Sequence, residues 1–185
     1  MVKTGRHIVV YGPTGSGKTT VGSQIAQRIG VPHIELDAIF WTPRWVEKPL
    51  AEFRAEVSAV LDSCRDGWVC DGNYRQVRDL ILPLADTVVW LRPPFWVAFW
   101  WLLKRTVSRA WTGQPLWGTN RESWRQSFLS RDSILLYQMT SWRRHPGGIR
   151  RDLVEMPHRA SVFELHSVRE IEEFLASLSP PDVMS

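Results

Sequence analysis

The chain is poor in cysteine, in long apolar runs and, over one internal block, in acids. Its two cysteines, Cys64 and Cys70, make neither a disulfide framework nor a metal-ligand spacing, so both read as ordinary intracellular thiols. His33, His145, His158 and His166 also lack ligand spacing, and no role is assigned to them. The longest apolar run, Phe95 to Leu103, is about half the length of a membrane span. No signal or transit sequence fits ahead of the first apolar run at His7, so a soluble cytoplasmic protein without a membrane partner is expected. Internal repeats and low-complexity tracts are missing, which leaves residues 1–185 as one domain. Acids are scarce over residues 104–151, where ten Lys or Arg face two Asp or Glu. Residues 152–185 are acidic in compensation. A basic block of this kind suits the phosphates of a nucleic acid or of a nucleotide.

Against these absences stands one dense stretch, Gly12-Pro13-Thr14-Gly15-Ser16-Gly17-Lys18-Thr19-Thr20. Gly12, four residues, then Gly17-Lys18-Thr19 is the phosphate-binding P-loop pattern. A loop wrapping a phosphate chain must aim several backbone N–H groups inward, and glycine permits both the dihedrals and the close approach. The following helix turns its N-terminal amides and positive dipole end toward the same anion. In this reading Lys18 bridges the β- and γ-phosphates, and the Thr19 hydroxyl ligates Mg²⁺. The context fits. His7-Ile8-Val9-Val10-Tyr11 is a buried-strand run, and Val21, Ile25 and Ile29 follow at helical spacing up to Gly30-Val31-Pro32. ATP and Mg²⁺ are the expected ligands.

Four further strands are expected, at His33–Leu36, Trp68–Cys70, Thr87–Leu91 and Ala160–Leu165. Ala38 to Pro49 reads as an aromatic-rich loop. Helices are expected over Leu50–Leu61, about Val77–Leu84, Phe95–Trp111, about Arg121–Arg144 and Val168–Leu178. The last but one is closed by His145-Pro146-Gly147-Gly148. The helix from Phe95 is apolar nearly all round at its start. Burial of that part is expected, with Trp96, Trp100 and Trp101 as core. Alternating strands and helices give an α/β, doubly wound, five-stranded parallel sheet with its sites at the strand C-termini. Residues 104–150 form a helical, basic lid or insertion within that single domain.

The phosphate loop does not by itself select among nucleotide-dependent activities. A guanine-reading Asn-Lys-x-Asp element and an Asp-x-x-Gly switch are both missing, which argues against a GTPase. A small kinase needs an acceptor pocket beside the loop and cations that close over the transferring phosphate. Asp37, after the second strand, is placed to take a proton from an attacking hydroxyl; the bland alternative is a helix cap. Asp71, after the third, is the Walker-B-like carboxylate that would hold Mg²⁺ through water, or else a turn residue. Gly72, Asn73, Tyr74 and Arg75 follow it as acceptor-binding candidates, with Trp41 and Trp45 available for stacking. Arg105 with Arg109, and Arg121 with Arg125, each lie one helical turn apart. Arg105, Arg109 and Arg121 are the preferred lid cations, although most basic stripes are solvated faces. His166-Ser167-Val168-Arg169 is a weak candidate for bordering the base.

Three segments carry a closer resemblance: Leu36-Asp37-Ala38-Ile39-Phe40-Trp41, Trp68-Val69-Cys70-Asp71-Gly72-Asn73-Tyr74 and Asn120-Arg121-Glu122-Ser123-Trp124. With the phosphate loop, they resemble the bacterial topology modulation protein family of adenylate-kinase-like P-loop proteins. That family is related to nucleoside monophosphate kinases and shikimate kinase. The resemblance implies a strand order of 2-3-1-4-5, a bound nucleoside triphosphate and phosphoryl transfer to a small-molecule acceptor, either a nucleotide or a small hydroxylated metabolite. A nucleic-acid-associated ATPase and a non-catalytic nucleotide-binding regulator are the alternatives. No recognised DNA-binding module is present, which counts against the first of these.

Overall fold

A computed structural model of the chain describes residues 5–112, 115–116, 120–121, 145–156 and 159–178. Its centre is a five-stranded, all-parallel sheet formed by β1 (His7–Tyr11), β2 (His33–Glu35), β5 (Trp68–Asp71), β6 (Thr87–Leu91) and β9 (Ser161–Leu165). The spatial order is β2-β5-β1-β6-β9, the expected 2-3-1-4-5 when only these five strands are counted. β1 lies in the middle, with Val10 opposite both Asp71 and Val89. Each of β1, β5 and β6 is almost wholly apolar because helices cover both faces of the sheet.

Side chains alternate between two cores, as strand geometry requires. Ile8, Val10, Val69 and Val89 pack against α1 (Lys18–Ile29) and the C-terminal helix (Val168–Ser177). Val9, Tyr11, Trp68, Cys70, Val88 and Trp90 face the other way, onto α3 (Leu50–Ser63) and the turns after β5. Burying Trp68 and Trp90 alone removes on the order of 400 Å² from water, worth about 10 kcal/mol before the entropy of ordering is subtracted.

The elements differ from the sequence expectation in five places. The second strand stops at Glu35, and Leu36–Phe40 is a short helix, α2, so Asp37 sits in a helical first turn rather than at a strand end. The expected aromatic loop contains an antiparallel hairpin, β3 (Trp41–Thr42) with β4 (Val46–Glu47). The helix expected over Val77–Leu84 is broken into the 3₁₀ turn Arg75–Val77, α4 (Arg78–Ile81) and the 3₁₀ turn Leu82–Leu84, because Pro83 cannot supply an amide to a longer ladder. Arg121 belongs to a second hairpin, β7 (Pro115–Leu116) with β8 (Asn120–Arg121), and not to a helix start; the rest of that expected helix lies outside the described residues. His145-Pro146-Gly147-Gly148 opens a helix, α6 (His145–Glu155), instead of closing one. Proline is tolerated in a first turn, where its missing amide has no partner to lose. The C-terminal helix is α7.

α5 (Phe95–Thr112) corrects a further expectation. Ala98, Leu102 and Thr106 are fully buried, a single stripe at four-residue spacing, whereas Trp96 and Trp100 are 74% and 54% exposed. Helical geometry lets only one face reach the sheet, however apolar the remainder. Trp101, on the inward side, is half-buried and is taken up with the site below.

Candidate functional site

The phosphate loop joins β1 to α1 at the C-terminal edge of the sheet. Gly17 caps α1 in the left-handed conformation (φ 84°, ψ 18°), and no side chain caps the helix in its place. A residue with a Cβ would resist that conformation. The first turn of α1 holds no acid and leaves its amides and dipole to an outside anion. Gly12 also has no room for a side chain, since a Cβ would stand 2.6 Å from Ser16 Oγ and 2.8 Å from the Leu91 carbonyl oxygen. Ser16 is completely buried, and its hydroxyl has no hydrogen-bond partner among the described residues. Pro13 turns its carbonyl back into the loop, accepting from Ser16 N at 3.1 Å and from Lys18 Nζ at 3.0 Å. Thr14 and Gly15 line the loop half-buried, and Thr19 and Thr20 are exposed. Glycine-shaped backbone at a helix N-terminus, a buried hydroxyl without a partner among the described residues and a lysine folded back onto its own loop are donor chemistry suited to a triphosphate.

The surrounding side chains meet at Lys18. Burial lowers the affinity of its ammonium for a proton; Asp71 and Asp37 oppose that loss, and Arg105 adds to it. Two carboxylates and a guanidinium from α2, β5 and α5 therefore act on one ammonium. Arg105 reaches this point because Ala98, Trp101, Leu102, Arg105 and Thr106 share one face of α5. Trp101 confirms the approach: a Cβ on Gly17 would lie 3.7 Å from its ring. The sequence had suggested core packing for Trp101, but it stands over the phosphate loop. Arg109 continues the stripe by one turn, and its side chain lies outside what is described, as does that of Arg121. The short strand carrying Arg121 lies against the turn at Pro43–Trp45. Arg125 lies outside the described residues.

Asp37 is half-buried and is held by a chain of hydrogen bonds. The Tyr74 hydroxyl donates to Asp37 Oδ1 at 2.6 Å and itself accepts from the Trp41 indole. Burial raises the Tyr74 phenol far above its ordinary range, and the negative charge of Asp37 raises it further, so Tyr74 remains a donor. Trp41 meets Trp45 edge-on at 5.8 Å across the hairpin. Arg44 and Trp45 at its tip both adopt positive φ (66° and 59°), a strained conformation for side-chain-bearing residues.

Residues 72–75 divide their work. Gly72 packs so closely on Leu36 that a Cβ would stand 2.8 Å from that side chain. Asn73 reaches back to Gly12, its amide nitrogen donating to the Gly12 carbonyl at 2.5 Å and its oxygen accepting from Gly12 N at 3.4 Å. Arg75 is 64% exposed and lies 3.5 Å from Asp152 Oδ1. Arg78 is buried, pairs with Asp152, donates to the Asn73 carbonyl at 3.3 Å and stands 5.0 Å over the Tyr11 ring. The role of Arg78 and Asp152 had no local sequence signal, since 74 positions separate them.

Asp71 is 1% exposed, and its Oδ2 lies 2.9 Å from His33 Nε2. His33 had been assigned no role, because a search for ligand spacing cannot detect a partner 38 residues away. At the far end of the sheet, Ser167 caps α7 by accepting from Glu170 N, and the Glu170 carboxylate accepts from His166 N, the residue before the cap. Ser167 is thus engaged locally. Among the described residues no group of three or more His, Cys, Asp or Glu side chains could hold a metal ion, and no helix is long and apolar enough to cross a membrane.

Comparison with known proteins agrees with this geometry. The family described as "ATPase family associated with various cellular activities (AAA)" matches residues 8–65, the strand, loop and helix of the phosphate site and the elements after them. An adenylate kinase from Desulfotalea psychrophila is 29% identical over 106 residues, and the match spans 45% of each chain, so this chain aligns with less than half of that relative's length. The solved structure of a sugar kinase from Janibacter sp., unliganded, superposes with a TM-score of 0.53 at 20% identity, over 96% of this chain and 97% of the other. A gluconokinase from Sinorhizobium meliloti gives a TM-score of 0.49 at 21% identity, covering 93% and 92%. The chain has the α/β P-loop fold found in small kinases, with a five-stranded parallel sheet.

Proposed function

We propose that this protein is a phosphotransferase that moves the γ-phosphoryl group of ATP to a hydroxyl of a small acceptor. The observation that carries the reading is the phosphate loop itself, with Gly17 left-handed at the head of α1 and the Ser16 hydroxyl buried without a partner among the described residues, beside an Asp37 held by Tyr74; the charges of Asp71, Asp37 and Arg105 all act on Lys18 there. The match to an adenylate kinase over 106 residues supports the donor half.

In this reading Gly12 to Thr20 cradle the triphosphate through backbone amides. Lys18 exchanges the Pro13 carbonyl for the β- and γ-phosphates. Mg²⁺, which neutralises charge on the phosphates, would be held by the Thr19 hydroxyl and by water on Asp71, a fit consistent with an exposed threonine at the head of α1 and with an acid whose charge reaches the adjoining Lys18. The acceptor oxygen attacks phosphorus as the bond to the β-phosphate oxygen breaks, and the acceptor's proton passes to Asp37. Tyr74 fixes Asp37 by occupying Oδ1, which leaves the other oxygen for that proton. Arg105, together with Arg109 and Arg121 from the lid, stabilises charge on the transferring group. Trp41, Gly72 and Arg75 border the acceptor, while Asn73 acts on the loop rather than on the acceptor directly.

The test is direct. Purified protein is incubated with γ-labelled ATP, Mg²⁺ and separate sets of nucleoside monophosphates and hydroxylated metabolites, and transfer of label is measured. Label on an acceptor in the wild type, lost in Asp37→Asn with ATP binding intact, supports the assignment. Lys18→Ala is expected to weaken ATP binding by roughly tenfold or more, the value of a charged hydrogen bond. Unchanged affinity would show that the phosphate site is misplaced.

A further inference from the structure

We propose that His33 is a positioning residue for Asp71, and that Gly22 is the spacer in α1 that permits it. The pair follows from the sheet register. In the parallel ladder of β2 and β5, His33 lies opposite Val69 and Glu35 opposite Asp71, so His33 and Asp71 are diagonal neighbours on the face covered by α1. The imidazole Nε2–H donates to Asp71 Oδ2 at 2.9 Å, with side-chain exposures of 15% and 2%. Glu35 Oε1 stands 4.0 Å from the other ring nitrogen, so an acid flanks the ring on each side.

Gly22 shows how closely this arrangement is built. A Cβ at that position would stand 2.8 Å from His33 Nε2 and 3.5 Å from Asp71 Oδ2, pressing on the bond itself. Glycine inside a helix costs about 1 kcal/mol relative to alanine. In α1 that cost keeps open the space in which the histidine meets the aspartate.

The arrangement has a mechanical consequence. A buried carboxylate with one oxygen pinned cannot swing about its last torsion, so the other oxygen keeps a fixed direction. Lys18 already feels the charge of Asp71, which places that carboxylate within electrostatic reach of the phosphate loop. An imidazole that donates to an acid, which then orders water on a cation, is an outer-shell support of the kind that tunes metal sites. This inference rests on the reading of Asp71 as the group that manages Mg²⁺.

The experiment measures ATP dissociation constants by calorimetry, with Mg²⁺ and with EDTA, for wild type, Asp71→Asn, His33→Ala, His33→Gln and Gly22→Ala. The ratio of the two constants reports how strongly metal supports nucleotide binding, and thermal melts are recorded alongside. Asp71→Asn should reduce the ratio. His33→Ala and Gly22→Ala should reduce it by about tenfold, the usual cost of losing an outer-shell partner. His33→Gln, which keeps an N–H donor, should recover most of the ratio. The His33→Ala, Asp71→Asn double variant should fall no further than Asp71→Asn alone. A His33→Ala protein that melts earlier but keeps its ratio, while Asp71→Asn loses it, overturns the positioning role and leaves Asp71 as assigned. An unchanged ratio in Asp71→Asn overturns the metal role of Asp71 and with it the role given to His33.

Discussion

Replacing Asp152 by asparagine should be among the most damaging conservative changes in this chain, although the residue lies far from the phosphate loop in sequence. Asp152 is buried on α6, its side chain 2% exposed, and it pairs with Arg78, which is 7% exposed. An amide keeps the volume and one acceptor but removes the charge, leaving the Arg78 guanidinium buried against the Tyr11 ring and the Asn73 carbonyl alone. Breaking a buried pair in this way costs about 3–5 kcal/mol, because the surviving ion has been desolvated without compensation. The cation–π contact and the carbonyl bond recover part, so a loss of about 3 kcal/mol is expected. The second partner of Asp152, Arg75, is 64% exposed and adds well under about 1 kcal/mol. Urea unfolding followed by tryptophan fluorescence would place the midpoint roughly 1–3 M lower, given slopes of about 1–3 kcal/mol/M for small proteins. The control is Arg78→Met with Asp152→Leu, which removes both charges and is expected to be near neutral. If Asp152→Asn costs less than about 1 kcal/mol, water or another group must already compensate Arg78, and the account of this pair fails.

Three further outcomes follow from the geometry. Asn73→Ala removes both bonds to Gly12, and ATP affinity measured by calorimetry should fall about fivefold to tenfold with a smaller effect on melting temperature. Tyr74→Phe deletes the donor to Asp37; kcat in the label-transfer assay should fall while the dissociation constant for ATP stays within about twofold. Burial raises both the Tyr11 phenol and the Cys70 thiol above their ordinary values of 10.0 and 9.0. Each folded value lies above the unfolded one, so the stabilisation is complete below pH 9 and is lost as pH rises, at up to about 1.4 kcal/mol per unit per group. Urea midpoints that stay level from pH 8 to pH 11 would contradict the burial of both groups.

The parts of the fold that were legible in the sequence are those set by local chemistry. The five strands are short apolar runs bounded by turn residues, and α1 carries its apolar residues at helical spacing between two glycines in the left-handed conformation. These features depend on neighbours a few positions away, so the phosphate loop, the sheet and most helix ends could be placed from the chain alone. α6 was misread for a local reason: proline and two glycines punctuate a chain, but proline also fits a helix start. The faces of α5 were misread for a global one. Composition says that Trp96 and Trp100 are apolar, whereas only the packing of Ala98 and Leu102 on the sheet decides which side turns outward.

What the sequence could not display is how the loop is held. Asn73 meets Gly12 across 61 positions, His33 meets Asp71 across 38, and Arg78 meets Asp152 across 74. No spacing along the chain marks any of these pairs, and only the strand order brings them together. β5 is the common element: it lies between β1 and β2, so residues leaving its C-terminal end reach the phosphate loop on one side and α2 on the other. Asp71, Asn73 and Tyr74 accordingly touch His33, Gly12 and Asp37 in turn. The phosphate loop states which ligand group the chain can hold. In the proposed mechanism the four residues after β5 set how rigidly Asp37 and the loop are aligned with that group, and that is where substitutions should separate binding from transfer.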